Sequence, residues 1–324
     1  MTLHVNEAEV RQLLTMPMAM DAVEEISRKQ AAGSVILHPR RRFELPAGGG
    51  FFHYMAAMDT EAGFIAMKQY TYVKGVLRFL VPLYEISTGA LLALIEADFM
   101  GQQRTGAASG VATKYLARQN ARTAAIIGTG GQAKTQLEAV AATRKLESVR
   151  VYGRDPERRE KFCREMSHRL GIPVHPAASA EEAVRGADII NTATTSAKPV
   201  IDGHDIAEGA HVNAIGANHA SKRELDDTAV TRADAIFVDS IEQSKQEAGD
   251  LIIPFQQQPQ KWDTVHELDQ LVAGKVPGRS SDKQITLFKS NGIASWDLAV
   301  AEKVYALARQ KNLGRELPLF SSGK

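Results

Sequence analysis

The sequence predicts an α/β protein: a doubly wound Rossmann domain joined to a mixed-sheet α+β domain. Three observations carry that reading. From Val35 to about Ile95 the chain breaks into strand-like runs separated by turn residues. From Arg122 onward, short runs rich in Ile, Val and Ala alternate with helical stretches, the mark of a parallel sheet covered on both faces. Between the first of those runs and its helix stands Gly128-x-Gly130-x-x-Ala133, a phosphate-binding pattern in its proper strand–turn–helix setting.

The elements follow in order. Asn6 with Glu9 three residues on forms a capping box for a short helix. Pro17 suits the first turn of a second helix running to about Ala32, with Gly33 as its stop. Strands are expected in "VILHPRRRFEL", "FFHYMAAM", "GFIAMKQYTYV", "RFLVPLYEI" and "ALLALIEA", and a helix in "TGAASGVATKYLAR". "TAAIIG", "SVRVYG", "ADIINTA", "HVNAIG" and "DAIFVD" are the strands of the parallel sheet. Asp155-Pro156 and Ser179 with Glu182 mark helix starts between them. After residue 250 the pattern loosens, and "SWDLAVAEKVYALARQ" closes the chain as an amphipathic helix. The expected boundaries are 1–118, 119–290 for the Rossmann domain, and a C-terminal helix within 291–324 that returns to the first domain.

Composition excludes several classes. With 324 residues, 44% apolar and 24% charged, the chain is long enough for two cores. A net charge of +1 gives no case for nucleic acid or an anionic membrane, and Arg40-Arg41-Arg42 is too short a run to change that. The lone Cys163 rules out an internal disulfide framework, fits a reducing compartment, and falls on the core-facing side of a helix. The acidic N-terminal stretch is unlike a signal peptide, and no segment approaches the ~18 apolar residues of a membrane span, so a cytoplasmic location is expected. His38, His53, His204 and His211 lack metal-ligand spacing, and no metal is expected.

The glycine turn points to a dinucleotide. Gly128 makes the tight turn, Gly130 lets the backbone approach a pyrophosphate, Ala133 keeps helix and sheet close, and the helix N-terminus meets the anion. NAD-reading enzymes place a carboxylate at the end of the second strand; here Gly153 and Arg154 stand there, leaving room and a planar cation for a 2′-phosphate. NADP(H) is therefore favoured over NAD(H), although Arg154 stacked on adenine is an alternative. Asp155 is better explained as a helix N-cap. The candidate cofactor-binding residues are Gly128, Gly130, Gly131, Gln132, Ala133, Gly153 and Arg154, with Ala193, Thr194 and Gly216 at the ends of later strands.

Reducing a carbonyl or imine acid takes a cation for the carboxylate and a proton donor near the acceptor atom. Arg41 in a strand, Lys68 inside "GFIAMKQYTYV" and Arg104 opening "RTGAASG" are the basic candidates. A lysine among apolar strand residues is unusual because an unpaired buried ammonium is costly; an edge or salt-bridged place would also account for each of the three. The tip after "HVNAIG" offers Asn218 and His219.

Over nearly its whole length the chain resembles the ornithine cyclodeaminase/mu-crystallin family. The matching pieces are "PRRRFEL", "AMKQY", "STGALLALIEADFMGQQRTGAAS", "IIGTGGQAKTQLEA", "VYGRDPER", "NTATTS", "HVNAIGANHASKRELD", "VDSIEQSKQEAGDL" and "NGIASWDLAVAEKVY". The resemblance implies a substrate-binding and dimerising N-terminal domain, completed by the C-terminal helix, hence a homodimer. It places the basic residues of the substrate pocket on Arg41, Lys68 and Arg104. The aspartate that is the proposed acid/base of cyclodeaminases becomes Asn218 here, and an amide does not carry a proton in the relevant pH range. Members related to mu-crystallin resemble this chain in having a small residue and then arginine at the second strand end; they use NADPH and reduce cyclic ketimines. The expectation is an NADPH-dependent reductase of cyclic imino acids such as 1-pyrroline-2-carboxylate, with Asn218 orienting substrate or cofactor. The alternatives are an alanine- or opine-type amino-acid dehydrogenase, an ornithine cyclodeaminase using His219, and a non-catalytic NADPH-holding binder.

Overall fold

The computed structural model describes residues 1–319. The chain divides into two compact units, Met1–Arg104 with the segment from Ile293, and Thr105–Gly292.

The first unit opens with β1 (Thr2–Val5), α1 (Glu7–Leu13) and α2 (Met16–Ala32). Asn6 accepts from the backbone of Ala8 and Glu9 while the Glu9 carboxylate accepts from Asn6 N, which is the expected capping box. Pro17 sits in the first turn of α2, and Gly33 ends it in the left-handed region at φ 86°. Then come β2 (Val35–Glu44), β3 (Gly50–Asp59), β4 (Phe64–Val73), β5 (Val76–Glu85) and β6 (Leu91–Glu96) as an antiparallel meander. The following helix, α3 (Asp98–Leu116), starts ahead of the expected stretch, and the change of unit falls inside it, ahead of residue 118.

The second unit runs β7 (Thr123–Ile127), α4 (Gly131–Thr143), β8 (Ser148–Tyr152), α5 (Pro156–Leu170), β9 (Val174–Pro176), α6 (Ala180–Val184), β10 (Ile189–Thr192) and β11 (His211–Ala214). It continues through α7 (Asp227–Arg232), β12 (Ala235–Val238), α8 (Ile241–Glu247), α9 (Gly249–Phe255), β13 (Val265–Glu267), α10 (Leu268–Val272) and β14 (Thr286–Lys289). All strand pairs are parallel, in the order β13-β12-β14-β11-β10-β7-β8-β9. Successive residues serve opposite faces: Ala124 and Ile126 pack with Leu137 and Phe162, while Ala125 and Ile127 pack with Val184 and Val212. That two-sided burial is why the strands read as unbroken apolar runs. The chain reverses direction across the sheet between β7 and β10, so the carboxyl ends of these two strands form the switch point where ligands of such sheets bind.

The orphan carbonyls at the end of α3 are satisfied by Arg144, which donates to the carbonyls of Thr113, Lys114, Ala117 and Arg118. Cys163 is buried beside Phe162 and Met166, and burial pushes its thiol up to about 11, an unreactive state.

The chain returns to the first unit as α11 (Ala294–Lys311), which lies against α2, β3 and β4, and β15 (Arg315–Leu317). The expected closing helix ends at Asn312 in the left-handed region, and β15 pairs antiparallel with β1 at the end of the sheet order β15-β1-β6-β5-β4-β3-β2. Residues 320–324, included in the expected helical segment, lie outside the described residues.

Candidate active site

Lys68 lies midway along β4, opposite Met55 of β3. On the next strand His38 pairs with Ala56 and Arg41 with Tyr54, so Pro39 and Arg40 together face Met55. This β-bulge adds one residue to β2 and reverses its in–out alternation beyond that point. Counting alternate positions from Val35 leads inward to Arg41; with the bulge the inward place passes to Arg40. Arg41, expected in the pocket, is exposed, whereas Arg40 is buried with its guanidinium 3.8 Å from Met55 Sδ. Pro39, which has no N–H for the ladder, is a natural residue for a bulge.

Arg40, Lys68 and Arg104 are all buried, and Asp297 in the first turn of α11 is the acidic partner of Lys68 and Arg104. One oxygen, Asp297 Oδ1, accepts from Lys68 Nζ at 3.0 Å and from Arg104 Nε at 3.0 Å. Gly101 makes room for the ammonium, since a Cβ there would stand 2.8 Å from Nζ, and the Phe79 ring lies 5.3 Å away. Burial, followed by the charge of Arg104, lowers Lys68 to about 8; Asp297 opposes the shift and Arg40 adds to it. Two cations share the Asp297 carboxylate, and buried Arg40 lies close enough for its charge to act on Lys68, a basic setting that suits a small carboxylate ligand and a lysine that can hand over a proton near neutral pH.

The second unit supplies the dinucleotide turn. Gly128 has φ 117°, and a Cβ on it would come 2.4 Å from the carbonyl oxygen of Ala193 after β10, so the turn closes only with glycine. Gly130 caps α4, with no heavy atom within 4 Å of where its Cβ would stand. Gly131 and Gln132 are the first residues of the helix, and buried Ala133 packs it onto the sheet beside Leu137. Open backbone at the N-terminus of this helix fits a pyrophosphate. Gly153, just past β8, is buried against Thr129, whose Cγ2 would be 2.8 Å from a Cβ. Arg154 is exposed, and Asp155 accepts from Arg158 N as the N-cap of α5, as its place before Pro156 implies.

The tip after β11 is held by buried charges that the sequence reading did not single out. Glu224 accepts from Thr192 Oγ1 at 2.9 Å, Thr194 N at 2.6 Å and Gly216 N at 2.7 Å, tying the ends of β10 and β11 together. Burial raises its carboxyl above the usual range, against the charge of Lys289. Lys289, wholly buried at the end of β14, pairs with Asp250 Oδ2 at 2.9 Å and hydrogen-bonds the carbonyl of Ala217. Asn218 is half-buried beyond that anchor. His219 is exposed, and its Nδ1 accepts from Ser221 N and lies 2.9 Å from Ser221 Oγ. The clue to Lys289 was a charge closing the apolar run "ITLF"; Asp297 gave no local clue. Among the described residues no group of acidic, histidine or cysteine side chains is placed to hold a metal, and no helix is long and apolar enough to cross a membrane.

Fold and site together define an oxidoreductase with a Rossmann domain and a separate mixed-sheet unit. The chain belongs to the ornithine cyclodeaminase/mu-crystallin family, whose model matches residues 2–312. It is 40% identical over 245 residues to a Delta(1)-pyrroline-2-carboxylate reductase of Bacillus cereus, covering 75% of each chain. It is 35% identical to the alanine dehydrogenase of Archaeoglobus fulgidus, over 98% of this chain and 99% of that one. The structure of Thermococcus litoralis Delta(1)-pyrroline-2-carboxylate reductase, in complex with NADH and L-proline, superposes with a TM-score of 0.94 at 36% identity, covering 98% of this chain and 100% of the other.

Proposed function

We propose that the chain is an NADPH-dependent reductase of cyclic imines bearing an α-carboxylate, of which 1-pyrroline-2-carboxylate is the type. The observation that carries this reading is the buried pair Lys68 and Arg104 on the single carboxylate of Asp297, with buried Arg40 acting on Lys68 through its charge. Identity to the two pyrroline-2-carboxylate reductases supports it.

When bound, the nicotinamide supplies the hydride that reduces the C=N carbon. Arg40 and Arg104 bind the substrate carboxylate; Arg104 engages Asp297 through Nε, which leaves the two-nitrogen edge of its guanidinium unused by that partner. Lys68, as an ammonium, gives a proton to the imine nitrogen as it becomes an amine. Asn218 orients a bound group through its amide, a role for which a protonatable side chain is dispensable. Gly128, Gly130, Gly131, Gln132, Ala133, Ala193, Thr194 and Gly216 surround the dinucleotide, and Gly153 with Arg154 receives a 2′-phosphate. A cytoplasmic homodimer completes the reading. It is supported by the buried free Cys163 and by Ile36, Phe43, Tyr72 and Leu77, large apolar side chains left exposed on β2, β4 and β5.

Similarity to an alanine dehydrogenase over nearly the full chain favours a second reading, in which the imine is built from a keto acid and ammonia. Dinucleotide deuterated at C4 separates the two. The reductase places deuterium on Cα of proline when given 1-pyrroline-2-carboxylate, and leaves pyruvate with ammonia essentially untouched. Deuterated alanine with no deuterated proline contradicts it.

A further inference from the structure

Asp297 is neither a cation of the substrate group nor a part of the dinucleotide turn, yet both Lys68 and Arg104 are built onto it. Resting on the reductase reading, we infer that Asp297 is a positioning residue: its Oδ1 aims the Arg104 guanidinium and holds the proton on Lys68 until the imine takes it. The geometry is specific. A single oxygen receives both donors at 3.0 Å, so the two cations are fixed relative to each other through one atom. Asp297 Oδ2 is buried and has no hydrogen-bond partner among the described residues, so this carboxylate is not shared with other donors. The helix start beneath it favours its negative charge.

The groups packed around the ammonium come from four elements. Arg40 of β2 and Arg104 of α3 repel its charge, Phe79 of β5 and Gly101 of α3 exclude water, and Asp297 of α11 is the acid opposing them. Removing that charge while keeping a hydrogen-bond acceptor lets burial and the two arginines act unopposed, so Lys68 loses its proton at lower pH. A merely structural carboxylate would, on removal, lower stability without moving this titration.

The test is Asp297→Asn, read in two ways. In the protein without dinucleotide or substrate, NMR of lysines labelled at Cε, with Lys68 assigned by Lys68→Arg, follows the ammonium directly. The expected midpoint lies near 8 in the unsubstituted protein and falls by about one pH unit or more in Asp297→Asn. In turnover, the alkaline limb of kcat/KM for 1-pyrroline-2-carboxylate moves down by the same interval, and Asp297→Glu restores it in part. An unchanged Lys68 midpoint overturns the proposal, whatever happens to activity. Absence of imine turnover in the unsubstituted protein defeats the reductase reading instead, and the NMR titration still decides Asp297. If Asp297→Asn does not fold, Asp297→Glu, which keeps the charge but moves it, is read by the same titration: a displaced midpoint supports the proposal and an identical one overturns it.

Discussion

Lys289 hydrogen-bonds through its ammonium to the carbonyl of Ala217, the residue immediately before Asn218. The same ammonium pairs with Asp250, whose other oxygen accepts from the backbone of Glu224 at 2.6 Å and of Leu225 at 2.9 Å. The tip carrying Asn218 is thus fastened at both ends by one wholly buried ion pair. Lys289→Met leaves Asp250 buried without its cation, which costs about 3–5 kcal/mol. Denaturant unfolding should show a loss of that size; a change below about 1 kcal/mol would mean that the pair does not hold the tip.

The bulge in β2 buries Arg40 and exposes its neighbour Arg41, which on the proposed reading gives the two different roles. Arg40→Ala should raise KM for the imino acid by roughly 10- to 100-fold, the range of a lost charged hydrogen bond. Arg41→Ala should leave KM within about twofold, because an exposed side chain away from the site contributes little. Steady-state kinetics of the two variants check the register. The reverse ranking would restore Arg41 to the pocket.

On the proposed reading, Arg154, which is exposed beyond β8, carries the cofactor choice. Arg154→Ala should raise KM for NADPH by about tenfold and hardly affect NADH. Gly153→Asp is not a clean exchange toward NAD, because its Cβ would press on Thr129 Cγ2 at 2.8 Å. Equal losses with both dinucleotides in Arg154→Ala would assign this arginine to the adenine instead.

His211 is held neutral in the core of the second unit, with Nδ1 2.9 Å from Thr286 Oγ1 and Nε2 3.1 Å from Asn213 Oδ1. Burial, then the charge of Arg279, lowers it to about 3 from its ordinary value of 6.5. Between these two values the unfolded chain binds a proton that the folded chain does not. The stability difference between the protein and His211→Gln should therefore shrink as pH falls from 6.5 toward 3, by up to about 1.4 kcal/mol per pH unit. Parallel stability curves for the two proteins would place the proton elsewhere.

Much of the fold was legible because its signals are local. The Asn6 capping box, the Pro17 start and Gly33 stop of α2, and the Asp155 cap each depend on a few adjacent residues. The two-sided apolar strands of the second unit were equally plain. β14 was missed because it has four residues and ends on a lysine, whose burial is explained by Asp250 and Ala217, far away in sequence. β1 and β15 are short strands that make sense once paired with each other. In the site, Lys68 and Arg104 stood out, but their shared partner Asp297 lies 229 and 193 residues away in sequence, so no spacing announces it. Arg41 came from the resemblance, and with Arg40 and Arg42 beside it a one-residue shift changes the strand face; where a bulge places its extra residue is not written in the local sequence.

The most direct measurement is the loss of reduced-nicotinamide absorbance when 1-pyrroline-2-carboxylate is added to the protein with NADPH, and in parallel with NADH. The account predicts rapid oxidation of NADPH, clearly slower oxidation of NADH, and stoichiometric proline. No oxidation of either dinucleotide, with the protein folded and binding NADPH, would contradict it.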